Sequence, residues 1–179
     1  IVKIVYCILM HKNILVFSNG EKIGDGLIKL PFLNEIKRRF PDSKIYWMTN
    51  KNSTVYNNQL KNIANQFIYE IFEKAELNLF FWQKISNKYN LNNLHFDYII
   101  DTQKAVFRTI CLKRIKCSMF VSDSANSIFS NYKKINKNLN KERKYYLEDL
   151  YDLLDLIKKD KVNKNYKISI PKNWRKALI

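Results

Sequence analysis

Cysteine and histidine are scarce in this chain of 179 residues, and their shortage excludes two kinds of architecture. The cysteines are odd in number and show no CxxC spacing: Cys7, Cys111 and Cys117. Such a set cannot close into disulfide pairs, which favours a reducing compartment. Histidine occurs only as His11 and His95, so a structural zinc site is not expected.

Long hydrophobic runs are also missing, although the chain begins with one short apolar segment. Residues 1–10, IVKIVYCILM, are too few to span a bilayer. We interpret residues 1–12 as an extra N-terminal strand or an anchor at a membrane surface, and a signal-peptide core is a third interpretation. The β-branched residues in the first half favour the strand.

Acidic residues are few compared with basic ones. Asp and Glu number 16 against 32 Lys and Arg, which gives a formal net charge of +16. This excess indicates an anionic partner such as nucleic acid, a phosphorylated sugar or lipid, or an acidic membrane face. It equally fits the amino-acid bias of an AT-rich genome, because Asn and Ile are abundant too.

What the chain does contain is an alternation of short apolar runs and longer helical patterns. Strands are predicted at residues 13–18, 44–49, 67–72, 96–101 and 118–122. Helices are predicted at residues 27–40, 54–66, 77–89, 104–116 and 143–159, with a loop at residues 123–140. Strands separated by helices predict an α/β fold with a mostly parallel sheet and helices on both faces. One domain is expected over residues 13–165, followed by a linker over residues 166–179.

Glycine is also scarce, and all three glycines lie in one segment, Gly20–Gly26. The segment follows the first predicted strand and precedes the first predicted helix, where open α/β sheets bind ligands. Its glycine spacing fits neither a Walker loop nor a dinucleotide fingerprint, and Asp25 would repel a phosphate. We therefore expect the loop to present a carboxylate. Asp25 is equally well explained as the N-cap of the helix, and Pro31 predicts an irregular or tightly turned backbone there.

Two stretches of this chain resemble glycosyltransferase family 9, the heptosyltransferase-like enzymes of lipopolysaccharide assembly. The first is Gly24-Asp25-Gly26-Leu27-Ile28-Lys29-Leu30-Pro31, continued by Phe40-Pro41 before the second strand. The second is the strand 96–101 ending in Asp101-Thr102-Gln103, which is similar to the Asp-x-Gln element of the family. Lys104 stands where the family often has glycine, and Phe107 where it has a basic residue. The resemblance covers the N-terminal half of such enzymes only.

This resemblance implies a Rossmann-like domain that forms one half of a GT-B fold, the half that holds the acceptor. It implies that Asp25 is the catalytic base of an inverting transfer from a nucleotide-sugar to a glycan or lipid-linked acceptor. The substrate-binding positions it implies, or that lie beside them, are Gly24, Gly26, Asp101, Gln103, Lys104 and Arg108. It implies no cofactor and no metal, because the nucleotide-sugar is a substrate bound by the missing half. It also implies a cytoplasmic protein, for which peripheral association with the inner membrane is an expectation.

Three alternatives remain open from the sequence. Lys104 and Arg108 are equally explained as the solvated face of a helix. The whole chain could be a non-catalytic Rossmann-like binding module or a remnant of an enzyme. A basic nucleic-acid-binding protein is a further class, but no nucleic-acid motif is present, so that partner is not favoured.

Overall fold

The computed structural model describes residues 11–77, 87–131, 145–163 and 167–168. The described strands are β1 Asn13–Phe17, β2 Lys44–Met48, β3 Ile68–Phe72, β4 Phe96–Asp101 and β5 Cys117–Ser122. The described α-helices are α1 Ile23–Arg39, α2 Lys61–Ala64, α3 Val106–Leu112 and α4 Tyr146–Ile157. Short 3₁₀ turns at residues 55–57, 87–89, 91–93 and 124–127 complete the regular structure of these parts of the chain.

The five strands form one sheet in the order β3-β2-β1-β4-β5, and every neighbouring pair is parallel. Phe17 at the end of β1 pairs with Met48 of β2 on one side and with Asp101 of β4 on the other. The chain therefore leaves β1 towards one edge of the sheet and later returns to its other side. The reversal makes the carboxyl end of β1 a topological switch point, the position where open α/β sheets bind ligands.

Both faces of the sheet are covered by apolar side chains, as β-branched and aromatic strand residues require. One buried cluster joins Ile14, Val16 and Trp47 of the strands to Leu33 of α1 and Leu154 of α4. The other cluster joins alternate strand residues to Cys111 and Leu112 of α3. The predicted parallel α/β sheet with helices on both faces is confirmed.

A buried arginine fastens the C-terminal end of α1 to the end of α4. Arg39 is 1% exposed; it donates to Glu35 at 2.8 Å and to Asp155 at 2.6 Å. Burial by itself would raise the pKa of Glu35, but hydrogen bonds from Arg38 and Arg39 outweigh it and hold that pKa below its ordinary value. The basic residues of the last turn also complement the negative end of the helix.

Several predicted helix bounds are wrong. Helix α1 begins four residues before the predicted start at Leu27, and it continues through Pro31 without the irregular backbone expected there. The helix predicted at 54–66 is a 3₁₀ turn followed by the four residues of α2, and the one predicted at 104–116 shortens to α3. Helix α4 ends two residues before the predicted end at 159, and Tyr145 precedes its first residue, whereas positions 143–144 of that prediction lie outside the described residues. The loop predicted from residue 123 begins with a 3₁₀ turn.

Parts of other predictions lie outside the described residues. These are positions 78–86 of the predicted helix 77–89, positions 132–140 of the predicted loop, positions 1–10 of the extra strand or anchor, and most of the linker 166–179. Position 87–89 of that helix is a 3₁₀ turn. Among the residues that the structure describes, no helix is long and apolar enough to cross a membrane.

Candidate active site at the carboxyl edge of the sheet

The segment between β1 and α1 is held close to the neighbouring β2 loop. Gly20 has φ +94°, and a Cβ there would lie 2.6 Å from Cβ of Asn52 and 2.8 Å from the carbonyl oxygen of Ser53. Both the backbone conformation and the close approach require glycine at this position. The loop therefore turns tightly, and the first turn of α1 lies at the switch point of the sheet.

Asp25 lies exposed in the first turn of α1. The N-cap of the helix is Lys22, whose side chain makes no capping hydrogen bond, so the interpretation of Asp25 as the N-cap is wrong. A carboxylate in the first turn is stabilised by the positive end of the helix dipole. The side chain is thus available to a ligand at the edge where the sheet topology predicts one, and its role as catalytic base stays a prediction.

A buried polar network lies one turn below Asp25. The ammonium of Lys29 donates to Oγ of Ser18 at 2.7 Å and to Oε1 of Glu21 at 3.3 Å, and Oγ1 of Thr54 donates to Oε2 of Glu21 at 2.6 Å. The side chains of Lys29 and Glu21 are only 5% and 0% exposed. Burial lowers the pKa of Lys29, and the charges of Glu21 and Asp25 partly oppose this. The network ties the loop after β1 to both α1 and the segment after β2.

Tyr146, the first residue of α4, completes this group from the other end of the sequence. Its ring centroid lies 5.8 Å from Nζ of Lys29. Burial raises the pKa of Tyr146, a hydrogen bond with Thr102 opposes this, and the charges of Glu21 and Asp25 raise it further. A neutral phenol therefore stands close to the Asp25 carboxylate. Nothing in the sequence pattern indicated Tyr146, because 120 positions separate it from Asp25.

The two remaining glycines have different surroundings. A Cβ on Gly24 would meet no atom within 4 Å, whereas one on Gly26 would lie 2.6 Å from Cγ2 of Val55 and 2.8 Å from Cδ1 of Leu60. The carbonyl of Gly26 also accepts a hydrogen bond of 2.7 Å from the hydroxyl of Tyr56. Gly26 thus lets α1 approach the 3₁₀ turn, while Gly24 lies beside open space. The binding of substrate by either residue stays a prediction.

Asp101 is fully buried at the end of β4. Its carboxylate accepts hydrogen bonds from Oγ1 of Thr109 at 2.6 Å, Oγ of Ser122 at 2.9 Å and the backbone N–H of Gln103 at 2.9 Å. Burial raises the pKa of Asp101 in spite of these donors. The side chain therefore fastens β4 to β5 and α3, and it is Gln103, half-buried, that lies nearer the surface. Substrate binding by Asp101 and Gln103 stays a prediction.

Lys104 and Arg108 follow on the segment that leads into α3. Lys104 is exposed and its ammonium lies 3.2 Å from a carboxylate oxygen of Asp149 and 3.6 Å from one of Asp123. Arg108 is half-buried, near enough to Asp101 to lower the pKa of that carboxyl. Lys104 thus bridges three elements at the carboxyl edge. Contact of Lys104 and Arg108 with an acidic substrate stays a prediction.

A hollow of about 560 Å³ lies at the opposite, amino edge of the sheet, between the starts of β2 and β3. It is lined by His11, Lys37, Asp42 and Tyr69, among others, and by none of the candidate site residues at the carboxyl edge. Ligand crevices of open α/β sheets form at the carboxyl ends, so we do not assign it to the same site. Within the described parts of the chain, no group of three or more His, Cys, Asp or Glu side chains is arranged to hold a metal ion.

Comparison with solved structures identifies the fold. The heptosyltransferase WaaC of Escherichia coli, solved with ADP, is similar with a TM-score of 0.57 and 16% sequence identity, over 86% of this chain and 49% of WaaC. WaaC solved with ADP-2-deoxy-2-fluoro heptose gives a TM-score of 0.56 at 15% identity, over 86% of this chain and 50% of WaaC. A family 9 glycosyltransferase from Veillonella parvula gives 0.57 at 16% identity, over 93% of this chain and 47% of that one.

These similarities show the fold: a Rossmann-like α/β domain such as makes up half of a GT-B glycosyltransferase. The chain spans about half the length of the solved structures that it resembles. No family model matches the sequence, and no curated protein matches it. The predicted resemblance to glycosyltransferase family 9 is therefore confirmed at the level of the fold.

Proposed function

We propose that this chain is the acceptor-side half of an inverting glycosyltransferase of the heptosyltransferase type. One observation carries the proposal: an exposed carboxylate, Asp25, stands at the switch point of a fold shared with half of WaaC. A carboxylate at that place suits a reaction in which a hydroxyl must lose a proton.

In the proposed reaction an acceptor hydroxyl attacks the anomeric carbon of a nucleotide-sugar. The new C–O bond forms on the face opposite the leaving nucleoside diphosphate, which departs with the electron pair of the bond that breaks. Asp25 takes the hydroxyl proton late in this step, because an alcohol becomes acidic only as its oxygen bonds to carbon. In this proposal the Tyr146 phenol, which is close enough to Asp25 to feel its charge, helps to orient the acceptor.

The partners follow from the same proposal. The donor is a nucleotide-sugar, and in this proposal its nucleotide binds mainly to the other half of the GT-B fold. WaaC has been solved with ADP and with an ADP-heptose analogue, which supports a nucleotide-sugar as the donor class. The acceptor is a glycan or a lipid-linked sugar, used in the cytoplasm at the periphery of the inner membrane. No metal or cofactor is required by this chemistry.

A donor screen tests the proposal. The longest reading frame that contains this chain is incubated with a panel of nucleotide-sugars and a lipopolysaccharide-core acceptor fraction, and products are identified by mass spectrometry. We expect a mass increase of one sugar, and none from Asp25→Ala. Asp42→Ala is the matched control, because Asp42 is also exposed but lies in the turn after α1, away from the carboxyl edge.

The outcomes separate this proposal from the other interpretations. Transfer by wild type and by Asp42→Ala, with loss in Asp25→Ala, supports it. Equal transfer by all three would remove Asp25 from the mechanism. Binding of a nucleotide-sugar or glycan without any transfer would favour a non-catalytic module.

A further inference from the structure

The segment from Thr102 to Ser122 carries basic side chains and no acidic ones. Its sequence contains five basic residues: Lys104, Arg108, Lys113, Arg114 and Lys116. The absence of Asp and Glu over 21 consecutive positions contrasts with the chain as a whole, where one acidic residue accompanies every two basic ones. Most of this segment folds as α3 and the turn that leads into β5. This segment therefore supplies five of the 16 excess positive charges of the chain.

Helix α3 has a buried side and an exposed apolar side. Thr109, Cys111 and Leu112 face the second core cluster or the buried Asp101. On the outside, Phe107 is 75% exposed, and Ile110 and Val106 are 40% and 37% exposed. A phenylalanine side chain that is three-quarters exposed contributes little apolar burial to the stability of the fold. Exposed apolar side chains grouped in this way mark interaction sites.

The apolar group has an apolar neighbour on the same face of the sheet. The 3₁₀ turn at residues 124–127 packs beside α3, and it ends at Ile128, which is 67% exposed. We call Val106, Phe107, Ile110 and Ile128, together with the five basic residues of the segment, the α3 surface. In this part of the chain the exposed apolar side chains and the excess of positive charge occur together.

The cations stand at both ends of the apolar group. Arg108 and Lys104 lie at the beginning of α3, at the carboxyl edge of the sheet, and Lys113 and Lys116 lie exposed beyond its end. Among the described residues, Asp101 lies near Arg108, and Asp123 and Asp149 both contact Lys104. The charge at the far end of the helix is thus not neutralised by these acids.

We propose that the α3 surface docks on an anionic lipid bilayer. Phe107, Ile110, Val106 and Ile128 enter the boundary between headgroups and acyl chains, and the flanking cations meet the lipid phosphates. A central apolar group bordered by Lys and Arg is the pattern of helices that lie in a membrane interface. A nucleic acid would use the cations but would gain little from aliphatic side chains such as Ile110 and Ile128, so the bilayer is the better fit. The proposal does not depend on sugar transfer or on Asp25.

Vesicle sedimentation measures the docking directly on this chain. The protein is mixed with vesicles of phosphatidylcholine, either alone or with phosphatidylglycerol, and the partition constant is obtained from the pelleted fraction. Lys113→Glu/Lys116→Glu tests the cations and Phe107→Ser the apolar contact. Lys51→Glu/Lys61→Glu changes the net charge equally on exposed residues outside α3, and Ile28→Ser removes an apolar side chain that is 49% exposed on α1.

We expect binding to the anionic vesicles and little to the neutral ones. A basic residue near an anionic surface is worth about fivefold in partitioning, so the Lys113/Lys116 reversal lowers the constant roughly 20-fold or more. Phe107→Ser lowers it about tenfold, by loss of apolar burial. The Lys51→Glu/Lys61→Glu control lowers the partition constant several-fold less than Lys113→Glu/Lys116→Glu does. Ile28→Ser leaves the partition constant close to that of the wild type. Unchanged far-UV circular dichroism establishes that each variant is folded.

A second readout distinguishes insertion from mere charge attraction. In Phe107→Trp, the new indole is quenched by brominated acyl chains if the side chain enters the bilayer, whereas Ile28→Trp is not quenched beyond wild type. Three results would overturn the proposal: no binding to anionic vesicles, equal losses in the two charge-reversal pairs, or no quenching at position 107. Tight binding of RNA that is weakened by the same α3 variants, with no vesicle binding, would assign the surface to nucleic acid instead.

Discussion

The different surroundings of Gly24 and Gly26 predict opposite effects of the same substitution in the same helix turn. Replacing glycine by alanine within a helix stabilises it by about 0.5–1 kcal/mol, because alanine loses less backbone freedom on folding. A Cβ at Gly24 meets open space, so Gly24→Ala keeps this gain. A Cβ at Gly26 lies 2.6 Å from Val55 and 2.8 Å from Leu60, which are 7% and 0% exposed. Overpacking of this kind costs about 1–3 kcal/mol.

The helix-propensity gain cancels in the comparison, so Gly26→Ala is expected to be less stable than Gly24→Ala by about 1–3 kcal/mol. Urea unfolding followed by far-UV circular dichroism measures the free energies, and each 1 kcal/mol corresponds to about 2–4 °C in Tm for a domain of this size. Val55→Ala removes the side chain that a Cβ at position 26 would meet most closely. The added loss of stability caused by Gly26→Ala should therefore be smaller in the Val55→Ala background than in the wild-type background. Equal stabilities of the two single variants would show that α1 does not need a glycine to approach the 3₁₀ turn.

Two further variants test the polar networks at opposite edges of the sheet. Lys29→Met leaves the buried Glu21 carboxylate without its cation, so we expect the free energy of unfolding in urea to fall by about 3–5 kcal/mol. Adding Glu21→Gln should restore most of this loss. If the losses of the two single variants simply add in the double variant, the two side chains are not coupled. Because the pKa of Glu35 is lowered on folding, its ionised form adds stability that is present above its ordinary value of 4.5 and is lost as pH falls below it. The stability difference between wild type and Glu35→Gln should therefore shrink as the pH falls below 4.5, and a difference that does not depend on pH would contradict this.

The strands could be predicted from the sequence because each is a short run of β-branched and aromatic residues. The strands around Val16, Trp47 and Ile100 are buried on both faces of the sheet. A parallel strand that is covered by helices on both faces is a continuous apolar run in the sequence, which predicts a strand. The order of the strands was not predicted, because right-handed crossovers limit the possible topologies of a parallel sheet but do not select one.

The start of α1 could not be predicted in this way. Gly24, Gly26 and Pro31 each disfavour a helix in isolation, and local propensity therefore predicted a loop. In the structure the helix is held by packing on Val55 and Leu60, contacts between segments far apart in sequence. Tertiary packing outweighed a local preference of about 1 kcal/mol per glycine.

The candidate site was predicted only in part, for a related reason. Asp25 could be singled out because it follows a strand within a glycine cluster. The network of Lys29 with Glu21, and the approach of Tyr146 from α4, depend on the tertiary arrangement of three segments. Conversely, Asp101 was singled out by its resemblance to a family motif, but the structure shows a buried carboxylate with three donors. A motif identifies a residue type at a position, not the direction in which its side chain points.

The central claim is that the Asp25 carboxylate removes the proton of an acceptor hydroxyl. The direct measurement is kcat of the longest reading frame for its best donor, compared between wild type, Asp25→Asn and the control Asp42→Asn. The proposal predicts that kcat falls by about 10²–10⁴ in Asp25→Asn, with acceptor binding little changed, because the amide keeps the shape but cannot take the proton. A kcat for Asp25→Asn within a few-fold of that of Asp42→Asn would contradict it.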